Sequence, residues 1–166
     1  MKTIYVVRHA KSSWDFPALP DHDRPLLEKG KKRTKKVIDY LLKQSIQLDF
    51  VISSSAVRAS ETADYIARAL GYDSGSIKYD PSLYHADSEM IFEQFLDLND
   101  EYKSLMLVGH NPALTNFVNN WLKPPIDWLP TSAVVCLEFS TDHWDELRHA
   151  PAKLNFIVFP KLIKGQ

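Results

Sequence analysis

The chain has 166 residues, 45% of them hydrophobic and 25% charged, with a net charge of −1. That size and balance suit one globular domain over residues 1–166. They give no electrostatic reason to bind nucleic acid or an anionic membrane, and no apolar run approaches membrane length. A single cysteine, Cys136, excludes an intrachain disulfide framework and a multi-cysteine zinc cage. The first apolar run is too short for a secretory signal, so the expected location is cytoplasmic.

The run Ile4-Tyr5-Val6-Val7 has strong β-propensity and is apolar on both faces, as in a buried parallel strand. It ends in Arg8-His9, at the carboxyl end where open α/β sheets place their ligands. Residues 11–23 form a polar, proline-containing loop whose large apolar groups are Trp14 and Phe16. Helical spacing of Val37, Ile38, Leu41 and Leu42 predicts a helix over residues 27–46, with the lysine-rich stretch 31–36 on its solvated face. Residues 50–52 read as a strand, and the serines at 53–55 as caps for a helix marked by Ala59, Ala63, Ile66, Ala67 and Leu70.

Residues 77–79 suggest another short strand, and Ser88 a cap for a short helix carrying Ile91, Phe92 and Phe95. Leu105-Met106-Leu107-Val108 is a second buried strand, running into Gly109-His110-Asn111-Pro112. There Asn111 would cap, and Pro112 would open, a helix with Leu114, Phe117, Val118 and Trp121 on its apolar side. Two final strands, 132–139 and 154–159, read as antiparallel. Alternating strands and helices predict a three-layer α/β/α sandwich with a mostly parallel sheet. If the strands are parallel, Arg8-His9, residues 53–58 and Gly109-His110 share one edge of it.

That convergence has a chemical meaning. Two guanidinium groups, from Arg8 and Arg58, match phosphate oxygens and neutralise a phosphoryl group without a metal. A neutral histidine is a competent nucleophile near neutral pH, and a second histidine can donate to the phosphoryl oxygens as charge moves. No glycine-rich phosphate loop can be written from the five glycines, so a bound phosphate would be held by side chains. Neither histidine sits in a metal-binding spacing, which ranks a metallohydrolase low and leaves no cofactor implied.

V-V-R-H-A, the later S-S-x-x-x-R and V-G-H-N-P together resemble the histidine phosphatase superfamily, also called phosphoglycerate-mutase-like. The short length, with D-H-D-R-P-L and E-K-G just after it, resembles the SixA-type branch of phosphohistidine phosphatases. The resemblance implies a phosphoglycerate-mutase-like fold, His9 as nucleophile, Arg8 and Arg58 on the phosphoryl oxygens, and His110 as the second pocket histidine. It places Asp21 and Arg24 near the substrate entrance. Larger members carry a glutamate acid where this chain reads L-Y-H-A, with His85 the nearest polar candidate, so the general acid has no match. Ala10 replaces the glycine of R-H-G, and Leu27 replaces a helix-capping threonine.

The expected activity is metal-independent dephosphorylation through phospho-His9, of a phosphohistidine protein or of a small phosphorylated molecule. A phosphate- or phosphoprotein-binding module that has lost turnover is the alternative from another class.

Overall fold

The computed structural model of the protein describes residues 1–163. Six strands form one sheet: β1 (Lys2–Arg8), β2 (Phe50–Ser54), β3 (Lys78–Asp80), β4 (Ser104–Gly109), β5 (Val134–Phe139) and β6 (Ala152–Val158). Their order is β3-β2-β4-β1-β5-β6. The pairs β2–β3, β2–β4 and β1–β4 are parallel, and β5 and β6 add antiparallel edges. Among the described residues, four α-helices flank the sheet: α1 (Glu28–Leu42), α2 (Val57–Ala69), α3 (Ser88–Glu93) and α4 (Ala113–Val118).

The period of two along each strand divides the core into halves. Ile4, Val6, Leu105 and Leu107 face α3 and α4, where Phe92, Phe95, Phe117 and Trp144 complete the packing. Val7, Met106 and Val108 face α1 and α2, against Val37, Ile38, Leu41, Ala63 and Ile66. Covering both faces is what makes the central strands apolar throughout. Each large aliphatic or aromatic side chain so buried contributes about 1.5–3 kcal/mol. The expected three-layer, mostly parallel architecture is the one observed. Among the described residues, no helix is long and apolar enough to cross a membrane.

Local expectations fared unevenly. α1 stops at Leu42, short of residue 46, and Ser45 just beyond has a left-handed φ of 52°. The serines at 53–55 do not cap α2, whose cap position is Ala56 with no side-chain bond. Ser54 instead accepts the Ala56 N–H at 3.2 Å and bonds His110. Asp87, not Ser88, caps α3, its carboxylate accepting from Met90 N at 2.9 Å. Asn111 Oδ1 accepts both the N–H and the hydroxyl of Thr115, although the formal cap position is Pro112. β5 begins at Val134 because Ser132, at φ 61°, still belongs to a turn.

Candidate active site

β2, β4 and β1 are adjacent and parallel, so their carboxyl ends open on one edge of the sheet. Arg8 ends β1, and His9 follows it. Ser54 ends β2, and Arg58 lies in the first turn of α2. Gly109 ends β4, and His110 follows. The turn after β1 is held by its neighbours: Arg8 N donates to Ala133 O, His9 N to Gly109 O, and Ser132 N back to Arg8 O. Ala10 N donates at 2.9 Å to Thr62 Oγ1, whose own hydroxyl donates to Arg58 O. The backbone beside His9 and the residue bearing the second guanidinium are therefore tied through a single threonine.

Arg8, His9, Arg58 and His110 surround a cavity of about 430 Å³, together with Lys11, Ser12, Trp14, Asp21, Arg24, Tyr84, His85, Asn111 and Thr131. His9, His110, Arg58 and Arg24 are each no more than 9% exposed. The two imidazole centroids lie 5.1 Å apart. His9 Nδ1 is 2.8 Å from Ala10 O. A carbonyl only accepts, so Nδ1 carries the proton and the lone pair is on Nε2. His110 Nε2 is 2.8 Å from Ser54 Oγ, which fixes that ring as well.

Burial, and then the charges of Arg58, Arg8 and Arg24, lower the His9 pKa to about 4 against the opposing effect of its bond to Ala10. Burial, His9 and the arginines lower His110 to about 3. Both rings are neutral at physiological pH in the absence of an anion. Arg8 is itself lowered, by burial and by Arg58. Arg8 donates from one Nη to Leu129 O at 3.0 Å, and both Arg8 and Arg58 keep a buried Nε without a partner among the described residues. A site this cationic favours a multiply charged anion, because buried positive charge is costly until it is paired.

Asp21 is the single carboxylate among the described residues that line the cavity. The Tyr84 hydroxyl donates to its Oδ2, Arg24 Nε to Oδ1 at 2.9 Å, and Arg58 to Oδ2 at 3.0 Å and to Asp21 O at 2.8 Å. Tyr84 first, then Arg24 and Arg58, hold the carboxyl far below the usual range, so it stays ionised. Arg24 also donates to Ser12 Oγ and Ser13 O, pinning the loop of residues 11–23. His85 lies exposed at the mouth, its ring 4.1 Å from that of Tyr84.

All seven residues singled out in the sequence thus reach one cavity. Tyr84, Ser54 and Thr62 were missed, as was His22, which bonds Ser55 Oγ at 2.9 Å and meets Tyr84 edge-on. Trp14, a large apolar group of the loop over residues 11–23, is 75% exposed. No cluster of metal-ligating side chains occurs among the described residues.

The comparisons with known proteins agree with this geometry. Residues 4–89 match the model of the histidine phosphatase superfamily, branch 1. An uncharacterized protein of Mycobacterium leprae is 30% identical over 93% of this chain and 100% of its own length. An uncharacterized chloroplastic protein of Arabidopsis thaliana is 30% identical over 66% of this chain, which spans only 54% of that relative. A crystal structure from Agrobacterium tumefaciens, assigned as the phosphohistidine phosphatase SixA, superimposes with a TM-score of 0.78. It is 27% identical, with 95% of this chain and 97% of that one covered.

The chain belongs to the histidine phosphatase superfamily, and the class that fold and site define is a phosphatase. Within that superfamily it falls in the SixA-type branch.

Proposed function

We propose that the protein is a metal-independent phosphatase working through a phosphohistidine on His9, and that its substrate is phosphohistidine on a protein. The observation that carries the first part is the tautomer of His9: Nδ1 is committed to Ala10 O, which leaves the Nε2 lone pair as nucleophile. Nε2 attacks phosphorus, the N–P bond forms, and the bond to the leaving atom breaks with its electron pair. Water then adds to phosphorus, the N–P bond of phospho-His9 breaks, and Nε2 recovers its lone pair as inorganic phosphate departs. Arg8, Arg58 and His110 would bind the phosphoryl oxygens through this displacement, and a phosphoryl dianion opposes the lowering of His110 and favours its protonated, donating form.

The second part is supported by the state of Asp21. The carboxylate nearest the chemistry is ionised and occupied by three donors, which makes it a poor acid. An alkoxide leaving group needs such an acid. The imidazole of phosphohistidine does not, since protonation of its own ring lets it depart neutral. Asp21 acts in this reading by orienting Arg24 and Arg58 at the entrance, while His85 contacts what emerges from it.

The test is to trap the intermediate. Acid-labile, base-stable radiolabel from a phosphohistidine peptide is expected on His9, and His9→Ala should lose both label and turnover. Full turnover by His9→Ala would overturn the proposal. Faster hydrolysis of phosphoserine than of phosphohistidine would overturn the substrate assignment alone.

A further inference from the structure

The cavity recognises a phosphoryl group through cations, which every phosphorylated ligand satisfies equally. What distinguishes one ligand from another must lie at the mouth. Two loops reach it, residues 11–23 and 123–131. Each carries an exposed tryptophan, Trp14 at 75% and Trp128 at 54%. Each indole lies near an arginine of the cavity: Arg24 Cζ stacks 3.6 Å from the Trp14 ring centroid, and Arg8 Cζ is at the outer edge of cation–π range, 5.8 Å from that of Trp128. Phe16 and Leu19, also exposed, join Trp14 on the first loop.

Large exposed indoles beside two arginines of a cationic cavity are unusual for a site serving a small polar molecule, which would not cover them. Arg24 beneath the Trp14 ring holds it in place, so little rotamer freedom is lost when its outer face is covered, and Arg8 is within cation–π reach of Trp128. Resting on the phosphohistidine reading above, we propose that Trp14 and Trp128 are specificity-determining residues. They dock the polypeptide around the phosphorylated side chain, and the partner is a protein with apolar residues flanking its phosphohistidine. Charge and surface complement each other in that pairing: the dianion meets the arginines, and the apolar flanks meet the indoles.

The experiment compares kcat/KM for three substrates: a phosphohistidine peptide with apolar flanks, the same peptide with aspartate flanks, and free phosphohistidine. The wild type should prefer the apolar peptide over both others by tenfold or more. Trp14→Ala/Trp128→Ala should erase that preference through KM, and Trp14→Phe/Trp128→Phe should restore most of it. Near-ultraviolet circular dichroism confirms that each variant is folded. A preference unchanged in the alanine double variant, or absent from the wild type, overturns the docking role. Wild-type protein that hydrolyses phosphomonoesters but none of the three substrates overturns the underlying substrate assignment, and this proposal with it. Sedimentation of the wild type as a dimer that the double variant dissociates would give the tryptophans to a second copy of the chain, and would also overturn it.

Discussion

His9 owes its proposed role to a hydrogen bond that any residue's backbone could supply, because Ala10 contributes only a carbonyl. The more demanding arrangement is around Asp21, which faces two guanidinium groups and a phenol at once. Its carboxylate orders Arg24 and Arg58, yet it also competes with a phosphoryl group for Arg58. These two effects separate in kinetics. Asp21→Asn should lower kcat about tenfold, a barrier increase of about 1.4 kcal/mol, because Arg58 loses its alignment. Inhibition by inorganic phosphate should not weaken, since a negative charge has been removed from the cavity. Loss of phosphate inhibition in that variant would mean that Asp21 serves the binding of the anion itself.

At the scale of elements, the loop that carries Trp14 and is pinned by Arg24 is seated against the start of α1. Leu27 N donates to Lys11 O, and a Cβ at Gly30 would lie 2.4 Å from that same oxygen. Backbone meets backbone there, two residues beyond His9. Gly30→Ala gains about 1 kcal/mol of helix propensity but must push α1 and the loop apart, at a cost of about 1–3 kcal/mol. A net loss of stability with reduced turnover is expected, read from the urea midpoint at unchanged slope. A stabilised, fully active variant would show that the loop moves freely.

What could be read without coordinates follows the range of each interaction. The apolar runs at 4–7 and 105–108, and the chemistry at their ends, were legible because burial and strand direction are local properties. Tyr84 was not, because its partner Asp21 is 63 positions away and nothing in L-Y-H-A marks which ring turns inward. The serines at 53–55 misled for a related reason. A hydroxyl that could cap a helix is claimed by a histidine 56 positions distant, and tertiary contact outweighed local propensity. Asp87 displaced Ser88 as a cap by a single position, which is the usual uncertainty of a helix start.

For the whole molecule, two neutral histidines buried among arginines couple stability to pH. In the unfolded chain, imidazoles take up protons near pH 6.5. In the folded protein, His9 resists until about 4 and His110 until about 3. Between those limits the unfolded state binds more protons, so stability must fall as pH falls, by about 1.4 kcal/mol per pH unit for each histidine fully in the window. Asp21, held far below the usual range, begins to lose its contribution only at lower pH. His143, raised by Asp100 at the surface, works in the opposite direction, but solvent screens that pair. Denaturant titrations should therefore show the protein clearly less stable at pH 5 than at pH 7. His9→Asn/His110→Asn should flatten the profile, because neither asparagine titrates. A wild-type profile that is already flat between pH 7 and 5 would mean that the two rings ionise as readily in the fold as in water, and the neutral nucleophile would then need another explanation.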